Sequence, residues 1–178
     1  MEAHSQQATP LAVGIRYGLL LALTALLVDF LTRIAGFSFV VYGTAAFVGW
    51  LIVSIAWIIT AHKAFKNANG GYMQIGQGLT IAVVMLLLSG VVSGFFNYVY
   101  LHYIDLDFLE RMKQDMVDFM ERNNIPDEQI EKSTARIGEM KTGLGRALLG
   151  GLSSGLASGV IIGLLVSAFT KRNPSEFE

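Results

Sequence analysis

Three stretches of this chain, Ile34–His62, Asn67–Ile104 and Ala147–Thr170, contain no Lys, Arg, Asp or Glu. Each is longer than the roughly 20 apolar residues that cross a hydrocarbon core about 30 Å thick. A fourth run, from Leu11 to Leu31, is broken only by Arg16 and Asp29. Four membrane spans are therefore expected, at about residues 11–33, 39–61, 78–103 and 147–170. With 178 residues, 53% of them apolar and 15% charged, the chain is too apolar for an ordinary soluble domain. Most of its charges crowd between Asp105 and Arg146. The expected fold is all-α, a four-transmembrane-helix bundle with an extramembrane helical hairpin between spans three and four, forming one integral membrane domain over residues 1–178.

Several function classes are excluded early. A net charge of -1 with no basic stripe cannot displace counterions from a phosphate backbone, so nucleic acid is not an expected partner. The absence of cysteine excludes thiolate catalysis, Cys-ligated zinc and disulfides. The first apolar run reads as a retained span. A secretory signal would want a basic leader and a small-residue cleavage site, whereas Met1–Pro10 has no Lys or Arg and TALLVD ends in an acid.

The last span sets a small residue at every fourth position: Ala147, Gly151, Gly155, Gly159, Gly163 and Ser167. Between helices in lipid there is no hydrophobic drive, so close backbone approach must hold them together, and small residues permit it. Each step of four overshoots a helical turn by about 40°. Two neighbours are expected to share the row, or one partner to cross it and use about three members. The opposite face is expected to meet another span or a second copy of the chain. Gly14 and Gly18 form a similar ladder with Ala22 in span one, and Gly90 and Gly94 lie beside a polar row in span three. Glycine rows also line small oligomeric channels, but no ring-forming charge lies in the last span.

Polar groups inside spans mark either packing contacts or a path for ions and solutes. Asp29 and Arg33 stand four apart, acid first, the favourable order for a helical ion pair. Ser93, Asn97 and Ser89 share one row, and with Asp29 and His102 they form the candidate polar lining of such a path. Trp57 suits an interfacial belt, and Trp50, nearer mid-depth, is expected to pack on a neighbour. HKAFKNANGGYMQIGQG breaks the helix and turns the chain back.

Beyond span three the chain changes character. Asp107 with Glu110 three residues on has the form of a capping box, and Leu109, Met112, Met116, Phe119 and Met120 recur at helical spacing. Asn123 and Asn124 end this helix, and Pro126 starts a second in which Ile130, Ile137 and Leu144 fall seven apart. Residues 107–142 thus read as a hairpin outside the bilayer, its two apolar seams packed together. Its acids outnumber its bases, which disfavours a lipid-surface role.

No catalytic signature emerges. Asp105, Asp107 and Glu110 could gather a hard cation, but an EF-hand would need more ligands and a central glycine. The Met112, Met116, Met120 stack could bind reduced copper, yet methionine also fills apolar seams. His4, His62 and His102 form no zinc-binding pattern, and nucleophile-elbow, phosphate-loop and dinucleotide motifs are absent. No cofactor or metal is expected.

The loop ending in NGGYMQIGQG, the span closing in YVYLHYIDLDFLERM, the hairpin with NIPDEQIEKS and the glycine-rich last span together resemble a family of bacterial membrane proteins catalogued as domain of unknown function 4199. The resemblance covers nearly the whole chain and is strongest from Gly70 to Met120. Leu106 stands where family members often have Pro. The resemblance implies a four-span integral membrane protein and brings no activity and no functional residue. The expectation is a non-catalytic structural or interaction module of the bacterial inner membrane, with lipid, a second copy or a protein bound through the hairpin as partners. The alternative is a small channel or transporter component. Arg16, Lys63, Lys66, Lys171 and Arg172 near the termini and the second loop favour both termini in the cytoplasm, although Arg33 and seven bases from Arg111 to Arg146 count the other way.

Overall fold

A computed structural model describes residues 8–172. They form α1 (Pro10–Ile34), α2 (Phe39–Ala68), α3 (Ile75–Val99), α4 (Phe108–Arg122), α5 (Asp127–Gly138) and α6 (Leu144–Thr170). The last turn of α3 continues as a π-helical turn over Tyr100–Ile104. Helices α1, α2, α3 with this extension, and α6 are each long and apolar enough to cross a membrane.

Local chemistry sets the ends. Proline lacks an N–H that a first helical turn would leave unpaired, so α1 begins at Pro10, where Thr9 Oγ1 also accepts from the Ala12 amide at 3.2 Å. Helix α2 runs two turns further than the composition suggested. It stops only at Asn69, followed by Gly70 and Gly71 with φ of +67° and +89°, a region that residues with a Cβ avoid. Gln74 and Gln77 cap α3 reciprocally.

Helix α3 lies at the centre, with α6 on one side and α1 on the other, and α2 packs mainly on α1. The reason is the small-residue rows. A Cβ built on Gly14 would lie 2.9 Å from Val84, and one on Gly18 would lie 3.0 Å from the Met85 Cα. A Cβ on Gly94 would lie 2.5 Å from the Ala147 carbonyl oxygen, and one on Gly155 equally close to that of Leu86. Gly90 and Gly151 abut backbone to backbone, Gly159 meets Val83, Gly163 meets Ala82, and Ser167 meets Gly78.

One partner therefore takes the entire α6 row, more than either expectation allows, that two neighbours share it or that one partner uses about three members. Helix α3 carries its own four-residue row of Gly78, Ala82, Leu86, Gly90 and Gly94 running the opposite way, so the drift on one helix is matched on the other. A repeat longer than 3.6 residues stays on its partner when the pair winds right-handedly. Outside its contacts with α3 and α2, α6 is open among the described residues: Leu149, Ile161, Leu165 and Phe169 are exposed.

At one end of the bundle the chain ties itself together. Met73 and Arg172 exchange backbone hydrogen bonds of 2.9 Å each, Lys66 Nζ donates to the Thr170 carbonyl at 3.0 Å, and Asn69 Nδ2 donates to the carbonyls of Ala8 and Phe65. Next to this tie Leu21, Ile58, Phe65, Met73, Ile81 and Met85 are fully buried and fill the bundle.

Three local expectations change. Trp57 is not at a helix end, because α2 continues past it; its indole N–H donates to Thr24 Oγ1 of α1 at 2.9 Å. Asp107 precedes α4 but makes no side-chain cap, since its backbone is already in the α region. Leu144 belongs to α6 and not to the seam with Ile130 and Ile137, because α5 ends at Gly138. Helices α4 and α5 touch each other, joined through Asn124, whose φ is +54°.

Candidate functional site

At the end opposite the Met73–Arg172 bridge, α1 brings an ionisable pair into the bundle. Arg33 is four residues after Asp29, so both project from one face. Its Nε donates to Asp29 Oδ2 at 3.0 Å, and its Nη2 donates to Asn97 Oδ1 of α3, also at 3.0 Å. Tyr42 of α2 donates to the other Asp29 oxygen at 3.3 Å. The guanidinium lies 4.6 Å from the ring centre of Tyr100, 5.1 Å from Phe108 and 5.6 Å from Phe96. Cations are attracted to aromatic faces at such distances, more strongly when desolvated.

Four elements thus converge on one cation whose side chain is only 7% exposed. Phe108, the first residue of α4, is the anchor that docks that helix: it meets Tyr42 and Tyr100 edge-on, with ring centres 5.5 and 5.4 Å away. Below it, Asp105 accepts from Arg111 and from the Tyr100 hydroxyl, closing the turn between the π-helical segment and α4. The Arg111 guanidinium holds the Asp105 carboxyl below the usual carboxylate range.

Beside this cluster α2 and α6 part. They meet near His62, whose Nδ1 lies 2.7 Å from Thr170 Oγ1 and whose Nε2 donates to the Gly78 carbonyl at 3.0 Å. Toward the Arg33 end a cavity of about 750 Å³ opens between them. Its α2 wall is Tyr42, Ala46, Phe47 and Trp50, and its α6 wall is Ala147, Gly150, Ser154 and Ser158. Its floor is the polar row of α3, Ser89, Ser93 and Asn97, with Asp29 and Arg33 of α1. Leu109 and Met112 of α4 and Arg146 stand at its end. The size falls within the roughly 300–1,000 Å³ of small-molecule sites.

The cavity is blind. Beyond its innermost residues Ala25, Trp50, Leu86 and Ser158 lie Leu21, Ser54, Ile58, Ile81 and Met85, all fully buried. Its polarity is incompletely satisfied: Arg33 Nη1 and Ser89 Oγ are buried without a hydrogen-bond partner, and both residues line the cavity. Buried polar groups ordinarily find partners, so such exceptions ask for an explanation.

Of the sequence-derived polar residues, Asp29, Ser93 and Asn97 come together here. His102 does not line the cavity: it is five residues from Asn97, so it leaves the row, and its ring stacks on Tyr98 at 4.4 Å. Leu101, four residues on, takes the lining position. Sequence reading missed Tyr42, Trp50 and Arg146 as wall residues, and it missed the link between Arg33 and Asn97. A charge at a span end opposite a polar row was the available signal for that link, but nothing local tells which row it meets.

A family model, that of the protein of unknown function DUF4199, matches residues 14–172. The chain belongs to this family. No curated protein and no solved structure matches the chain. The matched segment of this DUF4199 member includes every helix except the first turn of α1, and with it the whole cavity.

Proposed function

We propose that this DUF4199 protein is a multi-pass protein of the bacterial inner membrane that binds without catalysing or conducting. Its four apolar helices cross the bilayer, and α4 with α5 forms a helical hairpin outside it, at the end that carries the cavity. Both termini lie on the opposite, cytoplasmic side, with Lys63, Lys66, Lys171 and Arg172. The observation that carries this reading is the blind cavity: a polar floor at the Arg33 end, closed at depth by Leu21, Ile58, Ile81 and Met85. Polar side chains do continue beyond it, at Ser54, His62 and Ser167, but they are fully buried among these apolar residues, and a close-packed interior leaves no continuous room for water.

Asp29 supports the same conclusion. A carboxylate that moves protons must be free to change partners, whereas both oxygens of Asp29 are engaged, by Arg33 and Tyr42. Reconstitution into proteoliposomes tests the proposal: the purified chain should give no ion or solute leak above protein-free vesicles. A reproducible leak that Asn97→Leu abolishes, with helical content retained, would establish the channel reading instead.

A further inference from the structure

The cavity has a specific chemical bias. Its wall carries three charged side chains, Asp29, Arg33 and Arg146. The single acid is already matched to Arg33, so Arg146 leaves the wall with an excess of one positive charge. Arg33 Nη1 is an unused donor on a side chain 7% exposed, held in place by Asp29, Asn97 and three aromatic rings. A donor fixed in this way loses little freedom when an acceptor arrives, and charge-assisted bonds to anionic oxygens are the strong ones. The rest of the wall is uncharged, with apolar Ala25, Val28, Ala46, Phe47, Trp50 and Leu86 facing the polar row of α3 and the hydroxyls of Ser154 and Ser158. The mouth lies between two helices that face acyl chains, since Phe47 on one and Leu149 on the other are exposed.

We infer that the cavity between α2 and α6 holds an anionic lipid taken from the surrounding bilayer, its phosphate accepting from Arg33 and Arg146 and one acyl chain lying along Trp50 and Leu86. A long chain with an anionic end fits a pocket whose charges lie at the Arg33 end and whose mid-bundle end is uncharged, with Trp50 and Leu86 beside the hydroxyls of Ser89 and Ser158. A soluble anion would leave the apolar half empty, and a zwitterionic lipid would bring a second cation toward Arg146. The inference rests on the reading of the chain as a membrane-embedded binder.

Gly150 provides a clean test. It lines the cavity, and a Cβ added there would meet nothing within 4 Å, so Gly150→Leu fills the space without touching the α3–α6 seam. The full chain, purified in a neutral detergent and stripped of lipid, is titrated with phosphatidylglycerol, phosphatidylcholine or inorganic phosphate, and bound adducts are counted by native mass spectrometry. The expected result is one phosphatidylglycerol per chain, bound about tenfold more tightly than phosphatidylcholine, with no competition from inorganic phosphate. Gly150→Leu should lose that adduct. Arg146→Gln, which alters an exposed side chain, should weaken phosphatidylglycerol severalfold and leave phosphatidylcholine unchanged.

Equal affinity for the two lipids overturns the inference, as does undiminished binding to Gly150→Leu. Displacement of the lipid by inorganic phosphate would show a free anion to be the ligand and overturn it as well. Should Gly150→Leu not fold, the lipid comparison on the unmodified chain and on Arg146→Gln decides alone. These outcomes are independent of vesicle leak, which bears only on the non-conducting reading.

Discussion

Arg33 shows how a single residue can be placed by sequence and yet be given its role only by its neighbours. Its spacing from Asp29 makes the ion pair, but its second bond, to Asn97, spans 64 positions of chain. Burying a cation is costly unless it is paired and hydrogen-bonded, and here the rings of Tyr100, Phe108 and Phe96 supply what one carboxylate cannot. Asp105 is the contrasting case, an ion pair at the surface. Its carboxyl is depressed first by the bond from Arg111. A depressed acid contributes stability that is complete above its unfolded value of about 3.9 and is lost as pH falls through the lower folded value. Thermal unfolding in detergent at pH 7 and pH 3 should therefore show a loss on acidification that Arg111→Gln no longer shows. The loss should be below about 1 kcal/mol, because the Arg111 side chain is 56% exposed and water screens the pair.

At the scale of elements, α3 and α6 make the closest backbone approach in the bundle. Neighbouring glycines on α6 give opposite expectations. A methyl on Gly151 would enter the Gly90 backbone, so Gly151→Ala must push the two helices apart, whereas Gly150→Ala meets open space. Gly151→Ala, and more severely Gly155→Leu, should lower the melting temperature in detergent or prevent recovery of a monodisperse species. Gly150→Ala should be neutral or stabilising by about 0.4–1 kcal/mol, because it restricts only the unfolded chain. Equal tolerance of Gly151→Ala and Gly150→Ala would mean that α6 does not pack on α3 as described. The α4 helix illustrates the reverse lesson. Its apolar stripe was legible, with Met116 buried on it, but its docking residue Phe108 lies at the very first position, where a periodic reading has not yet begun.

For the molecule as a whole, the ends of the bundle differ in kind. One is tied shut by Met73, Lys66, His62 and the end of α6, and the other carries the cavity and α4. The two ends should be distinguishable from outside the cell. In this cysteine-free chain, Glu131→Cys should react with a membrane-impermeant thiol reagent in intact cells, and Asn67→Cys should react only after lysis. Both positions are exposed, and Asn67 leaves untouched the hydrogen bonds that Asn69 makes. The reverse pattern would invert the proposed topology and put the Arg33 end of the cavity on the cytoplasmic side. From sequence alone came the helical class, the four helices long and apolar enough to cross a membrane, and the small-residue rows, because helix length and a four-residue repeat are properties of one segment and its solvent. Tertiary structure decided that α3 takes the whole α6 row, that Arg33 reaches Asn97, and that α2 and α6 part to leave a blind cavity. Those outcomes depend on which surfaces fit together across segments far apart in the chain, and no local pattern encodes that fit.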